Sequence, residues 1–351
     1  MPRAADLRFL FVGGGTGGHL APAVGLAEEL EARGHRTLFL GSGRAVEESF
    51  LGPERPCRSL HVDGSRLPRA AALAAALPRA RRWAREFEPH LVVGLGGLTG
   101  AAALAARRGR PLVLLEGNRV VGRSVRFLER WSAATLTLFP ETAAVLRGGR
   151  CIGPVGRRAL RRVASGPARE QLGLDPHAPL LMVAGGSQGA RDLNDFAAEL
   201  APRLAAAGCQ LLALAGAGKA ENLRRACAEA GLRARVEESM GDVGLAYSAA
   251  DFALTRGGAA TVAELWLFRL PAAIVPYPHH KDRHQEHNAR ALEPGVFLID
   301  RLDEVAGERV VECLQQPQVR AAMARHLVEH APEDGVRAAA DFLQELARAE
   351  A

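Results

Sequence analysis

Short apolar runs, each closed by glycine or a small polar residue and followed by a longer stretch with helical spacing, recur along the whole chain. In the first half the runs Leu7–Val12, Arg36–Leu40, Leu91–Val93, Pro111–Leu115 and Ala134–Leu138 predict strands. In the second half Leu180–Ala184, Gln210–Ala215, Ala234–Glu237, Asp251–Leu254, Ala272–Val275 and Val296–Ile299 do the same. Between them, stretches such as Leu20–Glu31 read as helices. Strand–helix alternation of this kind builds parallel sheets with right-handed crossovers. The two halves also open alike: an apolar strand, a glycine loop, then a helix, once at Gly13–His19 and again at Gly185–Ala190. The pattern predicts an α/β protein of two doubly wound, Rossmann-like domains, 1–155 and 156–351. Their boundary falls in the glycine-, proline- and arginine-dense stretch Cys151–Ser165. Val336–Ala349 reads as a closing amphipathic helix after the breaker Gly335, numbered with the second domain but able to pack back on the first.

Length and composition sharpen this picture. A chain of 351 residues exceeds one ordinary core. No apolar run reaches the ~18 residues of a membrane span. Met1–Asp6 leads straight into a strand and shows no secretory core. The five cysteines are scattered and odd in number, which suits a reducing compartment and argues against a disulfide frame or a zinc finger. Charge is uneven. Residues 1–155 carry 22 arginines, no lysine and 13 acids, a net +9, whereas the remainder carries 23 bases and 26 acids, a net −3. The basic half therefore expects an anionic surface. Nucleic acid is not expected, because aromatics are sparse and no recognition module is present.

The candidate chemistry starts at Gly13-Gly14-Gly15-Thr16-Gly17-Gly18-His19. Glycines permit a tight turn and close backbone approach. The N–H groups at the start of the following helix point at an anion. His19 adds a group able to take a proton near neutral pH. The spacing also matches G-x-G-x-x-G, but a dinucleotide site wants a carboxylate at the end of the second strand. That strand ends in Gly41-Ser42-Gly43-Arg44, with no carboxylate there. Arg44 keeps open a 2′-phosphate reading.

In the second half, Thr255-Arg256-Gly257-Gly258-Ala259 opens a helix that carries Glu264 about one turn in, where a carboxylate can accept two bonds from a sugar diol. The following stretch, Pro276-Tyr277-Pro278 through His279–Asn288, holds four histidines and an aspartate. His280 and His284 are spaced i, i+4, yet no cysteine or H-E-x-x-H supports zinc, and no metal is expected. A loop of hydrogen-bonding side chains for sugar hydroxyls and phosphate accounts for the same composition.

Four motifs in order resemble the bacterial MurG family: Gly14–His19 with Pro22-Ala23, Gly185–Ala190, Arg256–Glu264, and Pro276-Tyr277-Pro278 through His284-Gln285 to Asn288-Ala289. The resemblance implies a GT-B glycosyltransferase fold whose domains face a cleft. It implies inverting transfer of N-acetylglucosamine from UDP-N-acetylglucosamine to undecaprenyl-diphosphate-N-acetylmuramoyl-pentapeptide (lipid I), giving lipid II, with no required cofactor or metal. It further implies that Thr16, Gly17 and Gly18 approach the donor and that Gly186, Ser187 and Gln188 meet its diphosphate. Arg256 and Ala259, Ala260, Thr261 and Val262 lie along the nucleotide, with Glu264 on the ribose. Met240 reads uracil through its backbone, and His284 and Gln285 bind the sugar. Asn118, within Glu116-Gly117-Asn118, and Arg157 complete the substrate set.

The chain departs from the family at Gly96-Gly97-Leu98-Thr99-Gly100, which is a residue short and lacks an aromatic. It departs again at Gly117, where the family has glutamine, and at Gly153-Pro154-Val155-Gly156-Arg157, where the arginine is displaced by one. Another GT-B transferase with a different acceptor, or a UDP-N-acetylglucosamine 2-epimerase, remains the alternative. The acceptor hydroxyl needs a base, for which His19 is the candidate, and the leaving UDP needs the helix N-terminus after Gly185–Ala190. The lipid-linked acceptor implies a peripheral place on the anionic cytoplasmic face of the cell membrane. Leu67–Phe87 is the expected contact, with Leu73, Leu77, Trp83 and Phe87 dipping in and Arg69, Arg79, Arg81, Arg82 and Arg85 on head groups.

Overall fold

The computed structural model describes residues 6–15, 17–52, 55–62, 68–279, 282–330 and 335–349. Thr16, Leu67 and His280 therefore lie outside the described residues, as does the side chain of Arg69. The chain divides into two compact units, Met1–Arg157 with Pro332–Ala351, and Arg158–Ala331.

The first unit is a seven-stranded parallel sheet of β1 (Arg8–Val12), β2 (Arg36–Gly41), β3 (Cys57–Ser59), β4 (Leu91–Gly94), β5 (Leu112–Glu116), β6 (Ala134–Thr137) and β7 (Gly149–Cys151). Their order is β3-β2-β1-β4-β5-β6-β7. Successive residues of β1 serve opposite faces: Phe9 and Phe11 enter one apolar cluster, Leu10 and Val12 the other. Both faces are thus covered, as an all-parallel sheet requires.

The helix Val336–Ala349 belongs to this unit. Ala339, Ala340, Leu343 and Ala347 sit in the same cluster as Phe9 and Phe11. Arg33 pairs with Asp341 of that helix, and the Gly335 N–H donates to the Pro154 carbonyl. A Cβ on Gly335 would lie 1.7 Å from the Ile152 carbonyl oxygen, so only glycine admits this return of the chain.

The second unit is a six-stranded parallel sheet of β8 (Leu180–Ala184), β9 (Gln210–Leu214), β10 (Ala234–Glu237), β11 (Phe252–Thr255), β12 (Ala272–Ile274) and β13 (Val296–Leu298). Their order is β10-β9-β8-β11-β12-β13. In each sheet the order reverses direction once, between β1 and β4 and between β8 and β11. Crevices at the carboxyl ends of strands open at such switch points.

One expectation is corrected here. The helix Arg69–Phe87 turns Ala72, Ala76, Ala80 and Ala84 fully into the core, and Leu73, Leu77, Trp83 and Phe87 pack half-buried against the same cluster. Their i, i+4 spacing marks the side facing the sheet, so they do not form a membrane-dipping face. Arg81, Arg82 and Arg85 lie exposed on the other side, with Arg82 paired to Glu86.

Candidate active site

The β1/β4 switch point of the first unit brings three loops together. Gly13 follows β1, and its N–H donates to the Leu40 carbonyl at the end of β2. Leu95 follows β4, and a Cβ on Gly13 would be 2.9 Å from the Leu95 Cβ. His19 stands in the first turn of the helix Gly17–Ala32, half-buried, with its ring against the second glycine loop. A Cβ on Gly96 would be 3.3 Å from His19 Nε2, and Gly96 and Gly97 hold φ of +74° and +67°. The Gly96–Gly100 loop thus packs bare backbone against the imidazole. Gly17 is buried and Gly18 half-buried beside it.

The first loop differs from an open phosphate cradle. Glu47, from the helix Ala45–Leu51, reaches back to the end of β2 and is 3% exposed. Its Oε1 accepts from the Gly15 N–H at 2.9 Å, and from the N–H and hydroxyl of Ser42, both at 2.7 Å. Its Oε2 accepts from the Gly43 N–H at 2.8 Å. An internal carboxylate is therefore the anion that Gly15 meets. The position at the end of the second strand that lacks an acid in sequence holds one in space. Arg44 is exposed, and its guanidinium donates to the Gly15 carbonyl.

Glu116 plays the same part after β5. Its Oε1 accepts from the N–H and side-chain amide of Asn118 and its Oε2 from the Gly122 N–H, which fixes Asn118 at the carboxyl end of the sheet. Arg157 lies in this unit, its guanidinium 5.2 Å from the Phe50 ring centre.

The second unit repeats the arrangement at β8/β11. Gly186, Ser187 and Gln188 are exposed on the loop after β8. The loop closes through a Gly189 N–H bond to the Gly186 carbonyl and leads into the helix Arg191–Ala206. Gly189 must be glycine, because φ is +64° and a Cβ would be 2.0 Å from the Ala215 carbonyl oxygen. After β11, Gly257 is wedged against Gln285, where a Cβ would meet the Gln285 carbonyl oxygen at 2.2 Å. The Asn288 amide donates to the Gly257 carbonyl and Gln285 accepts from the Tyr277 N–H, so the two loops are one unit of structure. His284 is half-buried, its Nδ1 2.7 Å from Asp282 Oδ1, and this pairing holds the Asp282 carboxyl below its ordinary range. Met240 lies half-exposed on the loop after β10, at the same end of the sheet.

Two of the residues expected on the nucleotide are turned into the protein. Arg256 is buried, with Asp192 at 2.5 and 2.6 Å and the Val275 carbonyl at 3.0 Å, so its guanidinium ties the β11 turn to the neighbouring helix. Val262 is fully buried and its N–H donates to the Gly258 carbonyl, so it backs the helix Ala259–Phe268. Ala259, Ala260 and Thr261 occupy the first turn of that helix. Glu264 is one turn on, buried, and accepts from the Tyr247 hydroxyl at 2.7 Å. Among the described residues no three His, Cys, Asp or Glu side chains come together as metal ligands. All five cysteines are free thiols, and burial pushes Cys57 and Cys227 up to about 11.

Comparison with known proteins agrees with this architecture. Residues 9–137 match the glycosyltransferase family 28 N-terminal domain and residues 180–334 its C-terminal domain. The chain is 36% identical, over 90% of its length and 91% of the relative's, to the UDP-N-acetylglucosamine–N-acetylmuramyl-(pentapeptide) pyrophosphoryl-undecaprenol N-acetylglucosamine transferase of Hahella chejuensis. It is 34% identical, over 96% and 98%, to the protein of that name from Stutzerimonas stutzeri. Among solved structures, Acinetobacter baumannii MurG shares the fold with a TM-score of 0.75 at 24% identity, covering 97% of this chain and 99% of that one. A putative UDP-N-acetylglucosamine 2-epimerase from Listeria monocytogenes shares the fold with a TM-score of 0.69 at 14% identity. It covers 99% of this chain and 97% of that one.

Proposed function

Because the chain belongs to the MurG family of GT-B glycosyltransferases, we propose that it transfers N-acetylglucosamine from UDP-N-acetylglucosamine to the lipid-linked N-acetylmuramoyl pentapeptide (lipid I). The observation that carries this reading is identity of 34–36% to transferases of that name over nine-tenths or more of both chains. The local geometry supplies the chemistry. His19 takes the proton of the acceptor hydroxyl as its oxygen attacks the anomeric carbon. The bond from that carbon to UDP breaks with inversion, and the negative charge gathering on UDP meets the N–H groups of the Gly185–Ala190 loop and the dipole of the helix Arg191–Ala206. Glu264, fixed by Tyr247, binds the ribose diol, and Gln285 and His284 bind the sugar.

Transfer assayed with a lipid I analogue tests the reading. The expected result is turnover with UDP-N-acetylglucosamine well above that with UDP-glucose or UDP-N-acetylgalactosamine, and a donor KM raised ~10-fold or more by Glu264→Ala. Acceptor-independent conversion of the donor to its 2-epimer would replace the reading with an epimerase.

We propose the membrane contact on a different surface of the first unit from Leu67–Phe87. Phe127 and Trp131 are 50% and 38% exposed, and their rings lie 5.2 Å apart. Arg130 stacks 4.9 Å from both ring centres, and Arg123 and Arg126 line the same hollow with Val121 and Phe127. Large aromatics with arginines around them suit an anionic bilayer interface. Co-sedimentation with vesicles containing anionic lipid is expected to fall on Phe127→Ser or Arg130→Ala and to be unaffected by Arg81→Ala. Equal binding by all three variants would reject this surface.

A further inference from the structure

We propose that Lys219 is a positioning residue of the donor-diphosphate loop, holding its carbonyl groups away from the bound diphosphate. The chain carries 43 arginines and only two lysines, Lys219 and Lys281, so a lysine here departs from its own habit. The contacts of Lys219 account for it. Its ammonium donates to the Gln188 carbonyl at 2.6 Å and to the Gly189 carbonyl at 3.1 Å. Two convergent carbonyl oxygens suit a compact ammonium better than a planar guanidinium fork.

The backbone that carries Lys219 is itself fixed. The buried Asn194 side chain donates to the Ala215 and Lys219 carbonyls, and Gly216 packs against Gly189 so closely that a Cβ would be 2.8 Å from its α-carbon.

In a trans peptide the C=O and N–H point opposite ways. Carbonyls 188 and 189 turned toward Lys219 therefore turn the N–H groups of Gly189 and Ala190 the other way. Gly189 spends its N–H on the Gly186 carbonyl, while the Ala190 N–H lies at the start of the helix Arg191–Ala206. Without the ammonium, the exposed Gln188 carbonyl loses the partner that holds it on the Lys219 side, and its peptide can turn although Gly189 stays packed against Ala215 and Gly216. A carbonyl oxygen would then face the diphosphate. Lys219 thus adds charge beside the loop and fixes its polarity.

This rests on the donor assignment above, and the experiment separates the two. Binding of UDP and of uridine is measured calorimetrically for the intact wild type, Lys219→Met and Lys219→Arg. The expected result is a UDP affinity ~10–100-fold weaker in Lys219→Met, with uridine affinity unchanged, and a smaller loss in Lys219→Arg. Wild-type UDP affinity in Lys219→Met overturns the role of Lys219, as does a proportionate loss of UDP and uridine in both variants. A wild type that binds neither ligand overturns the donor assignment, and Lys219 falls with it. If Lys219→Met does not fold, an unchanged UDP-to-uridine ratio in Lys219→Arg also counts against the proposal.

Discussion

His19→Ala is expected to lower kcat for sugar transfer by about 10²–10⁴-fold while donor KM stays within about twofold. A base that acts only as the acceptor oxygen attacks contributes to the transition state and not to donor binding, so its loss appears in kcat. The ring is set for this task by backbone. It stands in the first turn of the helix after β1 and lies against Gly96 and Gly97, and a side chain at Gly96 would crowd it. His19→Gln separates the roles, because glutamine keeps hydrogen bonding but cannot act as a base. Comparable losses in the two variants are expected from single-turnover transfer with a lipid I analogue. A His19→Gln enzyme with most of its kcat intact would make His19 a group that positions substrate.

The interior strands were legible because they are apolar on both faces, and all eleven runs read from the sequence, the edge strands β10 and β13 among them, form a strand within a residue or two. Two strands gave no such signal. Cys57–Ser59 and Gly149–Cys151 are three residues long, lie at the two edges of the first sheet and are partly exposed, so no apolar run marks them. The glycine loops were legible as turns, and the strand order explains their grouping, since they stand at the two switch points. Direction was harder to read. Arg256 and Val262 lie in a motif whose register points them inward, and one residue of helix rotation separates a ligand-facing position from a core one. Lys219 and Glu47 were missed because each works through backbone groups of another loop, a relation without linear spacing. The arginine-rich helix Arg69–Phe87 misled because an amphipathic core helix and a membrane-lying helix share one pattern, and only the contacts of Leu73, Leu77, Trp83 and Phe87 decide between them.

Glu47 carries the largest expected stability effect. Glu47→Leu fills the space with an apolar side chain of similar size but leaves the Gly15, Ser42 and Gly43 N–H groups and the Ser42 hydroxyl without their carboxylate. A buried donor stripped of its partner costs about 1–3 kcal/mol, and Gly15 and Ser42 are fully buried. The first unit should lose about 3–5 kcal/mol, in the range that single substitutions seldom reach. Denaturant unfolding followed by tryptophan fluorescence in a Trp266→Phe background, which leaves Trp83 and Trp131 of that unit, reads it. Glu47→Gln is the sharper probe. It retains one oxygen for the three donors at Oε1 but sets an amide N–H₂ against the Gly43 N–H, so the loss should be smaller, about 1–2 kcal/mol. Because Gly15 lies just before the helix that bears His19, Glu47→Gln should also lower kcat with donor KM unchanged. If both variants unfold at the wild-type denaturant concentration, the four bonds are not what holds the first glycine loop. A native carboxylate then cannot be the reason that this loop has the sequence of a phosphate cradle without being an open one.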